Sequence, residues 1–499
     1  MAEEIILIDD LMSQSGVSFG TSGARGKVED MTDKVCYTYT LAFIQHLEKI
    51  KQLPAGSSIA IAGDYRPSTH NIMIAVATAI TQSGYKVINC GSIASPAVAS
   101  FGIENRIPSI MVTGSHIPDD RNGIKFNKAD GEILKEDETG IRNQQVRLAD
   151  CLFDQAGNFI ATHELPKADL RGYDRYISRH LDFFPANSLH GMKIGLYEHS
   201  TVLREAMFDI LTGLGATVLK LGYSDTFIPV DTEAVREEDI HLARQWSKEH
   251  QLHALVSADG DGDRPLISDE DGEWLRGDIV GILAADYLHA NIIATPVSSN
   301  SAVEKSQHFS EVIRTRIGSP YVIAAMQGAA SQASGQTIVG YEANGGFLTQ
   351  TDIELDGRQL SALPTRDAIL PIIAILVSSH IQNCPISALQ ARLPARYTYS
   401  DRLKAFPTDI SLARLTPFMD SDQESALEQV NIFLGDGFSP AIGIDITDGV
   451  RITLENDEVI HIRPSGNAPE LRCYTESDSN SNAQNLNQMA MERINTWRE

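Results

Sequence analysis

The chain carries a repeated pattern of strand, polar loop, helix, glycine and strand. From residue 58 it reads SIAIAGDYRPS, NIMIAVATAITQS and GYKVINCG, and from residue 193 it reads KIGLYEHS, LREAMFDILTGL and GATVLKLG. A fainter copy begins with NIIATPVSSN at residue 291 and continues to SEVIRTRIGSPYVIAAM. Strands that alternate with helices form parallel or mostly parallel sheets with helices on their faces. The repeat therefore predicts three similar α/β domains with mixed or parallel sheets.

The pattern changes after about residue 384. AIGIDITDGVRITLENDEVIHIRPSG predicts short strands joined by turns, and NAQNLNQMAMERINTWRE predicts a closing helix. At 499 residues the chain is long enough for several domains. We predict α/β domains over residues 1–165, 166–271 and 272–385, and a C-terminal α+β domain over residues 386–499.

The charge and the apolar segments exclude several classes of protein. The 41 Lys+Arg and 66 Asp+Glu residues give a net charge of −25, which argues against nucleic-acid binding. An anionic substrate would need local arginines and lysines to bind it against the repulsion of this net negative charge. The 5 cysteines form no CxxC pair, which favours reduced thiols. The N-terminus lacks the basic residues of a signal peptide, and the longest apolar run has about half the length that a membrane span needs. We expect a soluble, cytoplasmic protein with reduced thiols and no membrane partner; oligomeric state is not predicted.

The sequence HALVSADGDGDRPL, residues 253–266, carries the strongest chemical signal. An apolar strand leads directly into Asp259, Asp261 and Asp263, and converging carboxylates repel one another unless a hard cation such as Mg²⁺ lies between them. An EF-hand calcium loop would need glycine at its sixth position, where this chain has Arg264, and would follow a helix. A solvated acidic turn does not explain three aspartates at the end of a buried strand. We predict a magnesium site, with Arg264 close enough to contact a phosphate.

Two loops before this site carry further candidates. IMVTGSHIPDDRNGIKF, residues 110–126, places Ser115 after a short strand, where open α/β sheets bind ligands, and we expect this turn to be exposed. Lys125 follows a second turn predicted at Asn122-Gly123. SFGTSGARGK, residues 18–27, predicts a flexible glycine-rich loop that presents Arg25. Each loop, taken alone, is also compatible with an ordinary turn.

Two later loops are candidates for ligand binding. In VGYEANGGF, residues 339–347, Glu342 and Asn344 can hydrogen-bond to vicinal hydroxyls. IRPSGNAPELRCY, residues 462–474, offers an arginine, a hydroxyl and backbone amides that together resemble a phosphate nest. Its candidate ligands are Arg463, Ser465, Gly466 and Asn467. Either loop could instead be an ordinary polar turn.

These loops, in this order, resemble those of the α-D-phosphohexomutase family, which includes phosphomannomutases and phosphoglucomutases. TGSHIP resembles the family's phosphoserine loop, ADGDGDR its magnesium loop, GYEANGG its sugar-recognition loop and RPSGNAP its phosphate loop. The resemblance covers essentially the whole chain. It implies three similar α/β domains and a fourth domain around a central cleft.

The resemblance also implies roles for individual residues. Ser115 would carry the phosphoryl group and, with the three aspartates, complete the magnesium site. Arg25 and Lys125 match positions linked to proton transfer and phosphate contact, Glu342 matches the glutamate that reads sugar hydroxyls, and Arg316 matches a cationic substrate contact. The implied reaction is reversible phosphoryl transfer between C1 and C6 of a hexose phosphate, from mannose 6-phosphate to mannose 1-phosphate, through a hexose 1,6-bisphosphate that also serves as activator.

Some features depart from the family pattern and leave alternatives open. Ile117 replaces a usual asparagine, Asn344 a usual serine and Asn467 a usual threonine. The EANGG loop is closer to the phosphomannomutases, but a phosphoglucomutase is the first alternative because mannose and glucose differ only at C2. A glucosamine mutase would usually carry a Gln-Ser pair in this loop. A magnesium-dependent sugar phosphatase and a non-catalytic calcium-binding protein are alternatives from other classes.

Overall fold

The computed structural model describes residues 3–20, 23–149, 151–419, 422–465 and 469–498. The first segment of the chain forms a mixed sheet with strand order β2-β3-β7-β6-β4-β5, flanked by helices, and a separate β1-β9 ribbon. Its elements are β1 Glu3–Leu7, α1 Ile8–Ser15, β2 Ser18–Phe19, β3 Gly23–Lys27, α2 Asp33–Lys49, β4 Ser58–Gly63, α3 Thr69–Gln82, β5 Lys86–Asn89, α4 Ser95–Asn105, β6 Ser109–Val112, β7 Arg121–Lys128, β8 Gly131–Glu132, α5 Lys135–Arg142 and β9 Gln145–Ala149.

The second and third segments form the next two sheets, with orders β11-β10-β12-β13 and β15-β14-β16-β17-β20. The second segment contains α6 Arg171–Phe183, β10 Lys193–His199, α7 Arg204–Gly213, β11 Thr217–Tyr223, α8 Glu237–His250, β12 Ala254–Ala258 and β13 Pro265–Ile267. The third contains α9 Gly277–Tyr287, β14 Ile292–Pro296, α10 Ala302–Lys305, β15 Glu311–Thr315, α11 Ser319–Gln332, β16 Ile338–Tyr341, β17 Phe347–Thr349, β18 Ile353–Leu355, β19 Arg358–Leu360, β20 Leu363–Asp367, α12 Ile369–Ile381 and α13 Ile386–Gln390.

The three sheets share one topological unit. In each, the first strand pairs in parallel with the second and the third, and the third pairs antiparallel with the fourth. The units are β4-β5-β6-β7, β10-β11-β12-β13 and β14-β15-β16-β17. The third strands β6, β12 and β16 are buried along their whole length, as expected for strands covered on both faces. The predicted threefold α/β repeat is therefore confirmed.

The C-terminal segment forms an antiparallel sheet of order β21-β25-β24-β23-β22, covered by helices. This agrees with the predicted α+β class. Its elements are β21 Tyr397–Lys404, α14 Thr408–Met419, α15 Gln423–Leu434, β22 Ala441–Asp445, β23 Val450–Leu454, β24 Val459–Pro464, β25 Glu470–Ser477 and α16 Asn480–Asn495. Each sheet lies within one predicted domain, and the boundaries themselves stay predictions.

One apolar core joins the first three segments, whereas the fourth has its own. The joint core contains residues from Ala60 to Leu389, and the whole apolar run at the start of α12 is buried in it. Pro371 lies in the first turn of α12, where a helix tolerates proline because the first N–H groups have no intrahelical acceptor. The core of the fourth segment runs from Phe406 to Trp497. Among the described residues, no helix combines the length and the apolar character that a membrane crossing needs.

Two local predictions are wrong. The flexible loop predicted over residues 18–27 is wrong for residues 18–19 and 23–27, which form the paired antiparallel strands β2 and β3 and hold Arg25; residues 21 and 22 lie outside the described part of the chain. Asn122 and Gly123 are not a turn, because both lie inside β7. A Cβ on Gly123 would lie 2.8 Å from the Ala24 carbonyl oxygen and 2.9 Å from that of Thr113. The glycine therefore permits a close approach between strands, which a local sequence pattern does not distinguish from a turn.

Candidate active site

Ser115 lies on the turn that follows β6. Its backbone has φ 57°, the left-handed region that non-glycine residues seldom adopt, and its N–H donates to Thr113 Oγ1 at 2.7 Å. Its Oγ donates to Asp259 Oδ2 at 2.6 Å, across the boundary between the first two sheets. The expectation that this turn is exposed is wrong: only 1% of the Ser115 surface is accessible, because the aspartate loop covers it. The buried hydroxyl is therefore held at a fixed point.

Arg66, which the sequence reasoning missed, holds this turn in place. Its guanidinium donates to the carbonyl oxygens of Ser115 at 2.8 Å, Ile117 at 2.5 Å and Pro118 at 2.7 Å, and its Nε donates to Asp64 at 3.2 Å. The side chain is fully buried. An arginine fork can serve several acceptors at once, so one residue shapes the whole turn. The sequence GDYRPS contains no pattern that separates this arginine from a surface one.

Asp259, Asp261 and Asp263 converge after β12, as predicted. Their ligand oxygens all lie within 4.8 Å of one another, and all three residues are buried. Burial and the charges of the other two aspartates raise the pKa of Asp259 well above its ordinary value. Burial acts in the same direction on Asp261, but Lys125 Nζ at 2.5 Å, a hydrogen bond from Ser95 and the charge of Arg366 together outweigh it and lower the pKa. Lys125 Nζ also lies 2.6 Å from Asp263 Oδ2.

The three carboxylates fit a hard divalent cation. Oδ1 of Asp261 and Oδ1 of Asp263 are buried, and within the described parts of the chain neither accepts a hydrogen bond. Buried oxygens without a donor are costly unless a cation takes that place. With Oγ of Ser115 at the same point, the cluster can hold a metal ion beside a group attached to that oxygen.

A set of cationic groups surrounds the Ser115 hydroxyl. Arg264 Nη1 lies 3.0 Å from His116 Nδ1, so this ring nitrogen accepts a hydrogen bond. Burial, together with Arg264 and Arg25, lowers the pKa of His116 to about 2, which keeps the ring neutral. Arg25, on β3, is half-buried, and burial with the nearby charges of Arg264 and Arg366 lowers its pKa to about 10. These groups can neutralise a phosphoryl group on Ser115.

The loop between β16 and β17 carries the two sugar-recognition candidates. Glu342 is buried, and its Oε2 lies 3.4 Å from Nη1 of Arg366, another residue that the sequence reasoning missed. Asn344 Oδ1 accepts the N–H of Gly346 at 3.0 Å, and its carbonyl oxygen accepts from Thr232 at 2.7 Å. The side-chain oxygen of Asn344 therefore shapes the loop.

The C-terminal candidates lie next to the third segment. Arg316 Nε donates to the Thr447 carbonyl oxygen at 3.1 Å, and the N–H of Ile317 donates to Asp448 Oδ2 at 3.0 Å. Asp448 Oδ1 also lies 3.3 Å from Nε of Arg463. The N–H of Ser465 donates to the Glu470 carbonyl oxygen at 2.8 Å. Gly466 and Asn467 lie outside the described residues.

All four segments line one cavity of about 1280 Å³. Although the chain is strongly acidic, the described residues give this cavity more basic than acidic side chains. The basic ones are Arg25, Arg121, Lys135, Arg264, Arg316, Arg366, Arg402, Arg463 and Arg472, and the acidic ones are Glu233, Glu342, Asp448 and Glu470. Such a cavity attracts anions against the overall field. A buried serine hydroxyl, a carboxylate cluster and a cationic cavity together are suited to phosphoryl transfer.

Comparison with known proteins gives the family. Three models of the phosphoglucomutase/phosphomannomutase family match: alpha/beta/alpha domain I at residues 16–148, alpha/beta/alpha domain III at 276–397 and the C-terminal domain at 418–493. The chain belongs to the phosphoglucomutase/phosphomannomutase family and is an enzyme of the phosphohexomutase type, an isomerase. The predicted family and enzyme class are confirmed.

Within this family the chain is most like phosphomannomutases. It is 44% identical to a phosphomannomutase of Salmonella muenchen over 97% of each chain. It is 41% identical to one of Sinorhizobium fredii over 94% of this chain and 97% of that one. A solved structure of a phosphoglucomutase/phosphomannomutase family protein from Burkholderia thailandensis shares the fold, with a TM-score of 0.72, 17% identity and coverage of 96% of this chain and 97% of that one.

Proposed function

We propose that the chain interconverts mannose 6-phosphate and mannose 1-phosphate through a phosphoserine at Ser115 and a bound mannose 1,6-bisphosphate. The observation that carries this proposal is the position of the Ser115 hydroxyl. It is buried, its Oγ lies 2.6 Å from Asp259 Oδ2, and its turn lies beside a cavity rich in arginine. The preference for mannose is supported by the two phosphomannomutases at 41–44% identity.

The first transfer exchanges one P–O bond for another. The free hydroxyl oxygen of the hexose phosphate attacks the phosphorus on Ser115, and the bond from phosphorus to Ser115 Oγ breaks. The sugar hydroxyl loses a proton and Ser115 Oγ gains one, so the proton balance closes. We assign the proton transfer to Arg25: a pKa of about 10 leaves on the order of 0.1–1% of its side chain neutral near pH 7.5, far more than an ordinary arginine. Lys125 contacts the phosphoryl group as a cation.

Asp259, Asp261 and Asp263 would hold Mg²⁺, which when bound neutralises charge on the phosphoryl oxygens. The chain's own contribution is to keep the reacting groups in place and away from bulk water. His116 Nδ1 lies 3.4 Å from the Ser115 Oγ and 3.0 Å from Arg264 Nη1, and the neutral ring of His116 adds no further positive charge. Preorganised cations of this kind supply most of the catalysis in phosphoryl transfer.

The bisphosphate then turns over in the cavity, so that its other phosphate returns to Ser115. Arg463, Ser465, Gly466 and Asn467 would hold the phosphate that is not reacting, and Arg316 would contact the same part of the substrate. Glu342 and Asn344 would hydrogen-bond to the sugar hydroxyls. Hexose 1,6-bisphosphate would thus be both the intermediate and, when added, the activator that phosphorylates an empty Ser115.

A coupled assay with mannose 1-phosphate and glucose 1-phosphate side by side tests this proposal. We expect faster turnover of the mannose ester, activation by added hexose 1,6-bisphosphate and loss of activity after chelation of divalent ions. A higher kcat/KM for the glucose ester would make the chain a phosphoglucomutase. Stoichiometric release of inorganic phosphate would make it a phosphatase and would overturn the proposal.

A further inference from the structure

Arg366 connects two parts of the site that are far apart in the sequence. It lies near the end of β20 and is 3% exposed. Its Nη2 lies 3.0 Å from Oδ2 of Asp263 in the metal loop, and its Nη1 lies 3.4 Å from Oε2 of Glu342 in the sugar-recognition loop. One guanidinium therefore pairs with a carboxylate from each of the two loops.

The space that Arg366 occupies exists because residue 346 is glycine. A Cβ built on Gly346 would lie 2.6 Å from Arg366 Cδ and 2.7 Å from Cγ, closer than carbon atoms can approach. The aliphatic part of Arg366 thus passes directly over the sugar-recognition loop on its way to Asp263. Any larger side chain at position 346 has to displace it.

The strand that carries Arg366 is tied to the phosphoserine segment. Oγ1 of Thr365, the preceding residue, donates to Oε1 of Glu132 at 2.6 Å, and Ser319 Oγ donates to Oε2 of the same carboxylate at 3.0 Å. Glu132 is buried on β8. Arg366 is therefore anchored relative to the Ser115 turn, and its head group has little freedom except between its two carboxylate partners.

We infer that Arg366 is a positioning residue that couples metal binding at the aspartate loop to sugar recognition at Glu342. The inference rests on the proposed function. Two carboxylates share one guanidinium, so a change of charge at either one alters how firmly the other is held. A cation at Asp263 weakens the pairing of Asp263 with Arg366. The same cation strengthens the pairing of Arg366 with Glu342. By thermodynamic reciprocity, an altered Glu342 changes the affinity of the metal loop.

A double-mutant cycle on metal affinity tests the coupling without any turnover. Mn²⁺, titrated by electron paramagnetic resonance, is the probe for wild type, E342Q, R366M and the double variant. In the wild-type background, E342Q leaves the guanidinium with Asp263 alone, and we expect roughly tenfold weaker Mn²⁺ binding, as for other changes in groups that support metal ligands. In the R366M background only the direct charge effect of Glu342 remains, and E342Q should weaken Mn²⁺ binding by about twofold or less. An equal effect in both backgrounds overturns the inference.

Substitution of the glycine gives an independent test that retains the arginine. G346A should push Arg366 off its path and reduce the effect of E342Q on Mn²⁺ affinity, as R366M does. G328A, on α11, is the matched control, because a Cβ built on Gly328 meets no neighbouring group of the described residues within 4 Å. R366K keeps the charge but has no fork, so it should restore only part of the coupling. If R366M does not fold, wild-type coupling in G346A contradicts the inference.

The mutase assay separates failure of this inference from failure of the proposed function. The preference for mannose is the kcat/KM for mannose 1-phosphate divided by the kcat/KM for glucose 1-phosphate. If Arg366 positions Glu342, R366M and G346A should each lower this preference by about tenfold, or abolish it where the wild-type preference is smaller than tenfold. A wild-type protein that shows no mutase activity refutes the function. Normal mutase activity together with an unchanged ratio in both variants refutes the role of Arg366.

Discussion

At the scale of the residue, the Ser115 turn owes its shape to a side chain 49 residues away in the sequence. The guanidinium of Arg66 also stacks on the ring of Phe227, at 4.0 Å from the centroid, so it binds the turn to the second segment as well. A Cβ on Gly114 would lie 2.6 Å from Arg66 Cζ. The glycine in the TGSH motif therefore makes room for the arginine that holds the Ser115 turn.

Replacement of Arg66 with lysine should destabilise the fold although the charge is kept. An ammonium has three donors and no planar fork, so several buried carbonyl oxygens lose their partner, at a cost of about 3 kcal/mol in the free energy of unfolding. Arg171→Lys is the matched control: Arg171 also pairs with an aspartate two residues earlier, but it is 63% exposed, and its replacement should cost about 0.5 kcal/mol or less. Equal shifts of the urea midpoint in both variants would contradict this assignment.

At the scale of the element, the three chemical loops occupy equivalent positions. Ser115 follows β6, the aspartates follow β12 and Glu342 follows β16, and each of these is the third strand of its unit. The repeat was predicted from the sequence because apolar strands and glycine spacing recur. The convergence of the loops was implied only by the family resemblance, because it depends on how the three sheets pack and no local sequence pattern reports that.

The residues that sequence analysis found and those it missed differ in one physical respect. The DGDGD cluster is local, since its three carboxylates lie at alternate positions within five residues and imply a cation by their mutual repulsion. Arg66 acts on Ser115, 49 residues away, and Arg366 acts on Glu342 and Asp263, 24 and 103 residues away, so no local pattern around either arginine reports those contacts. The Asn122-Gly123 pair was misjudged for the same reason, because its neighbour β3 lies about 100 residues earlier in the chain.

On strand β24, His461 gives a prediction about pH. Its ring is buried, its Nε2 lies 2.6 Å from the Asp448 carbonyl oxygen, and burial lowers its pKa from 6.5 to about 4. The unfolded chain protonates this ring below pH 6.5 while the folded chain does not. Its contribution to stability is therefore complete above pH 6.5 and is lost as the pH falls toward 4, at about 1.4 kcal/mol per pH unit.

Urea unfolding at pH 7.5 and pH 5.5 measures this contribution. Between these two values the wild type should lose about 1.4 kcal/mol more stability than His461→Gln loses. His70→Gln, at an exposed position of α3, is the control and should follow the wild type. Parallel pH profiles for wild type and His461→Gln would mean that the ring is not held neutral.

At the scale of the whole molecule, the fourth segment meets the third through polar contacts. It has its own apolar core, and it meets the third segment through hydrogen bonds such as that from the N–H of Ser301 to Glu476 at 3.1 Å and that from Asn300 to the Arg396 carbonyl oxygen at 2.8 Å. Polar interfaces of this kind allow domains to move relative to one another. Arg463 is carried into the cavity by this segment.

Arg463→Ala tests whether the fourth segment belongs to the site. Loss of an arginine–phosphate contact should cost on the order of 2–4 kcal/mol of substrate binding. The intermediate should escape more often, so more free hexose 1,6-bisphosphate per turnover and a stronger need for added bisphosphate are expected. Arg493→Ala, on α16 of the same segment, is the control. Normal kinetics in Arg463→Ala, without extra bisphosphate release, would show that this segment does not hold the substrate.

In the proposed function, Ser115 carries the phosphoryl group through every turnover. The most direct measurement is rapid-quench mass spectrometry of protein mixed with hexose 1,6-bisphosphate and then with mannose 1-phosphate. We expect phosphate to appear on Ser115 and to pass to the sugar at the rate of turnover, and we expect Ser115→Ala to fold but to be inactive. Full mutase activity in Ser115→Ala, or turnover by a wild-type protein whose Ser115 never carries phosphate, would exclude Ser115 as the phosphoryl carrier.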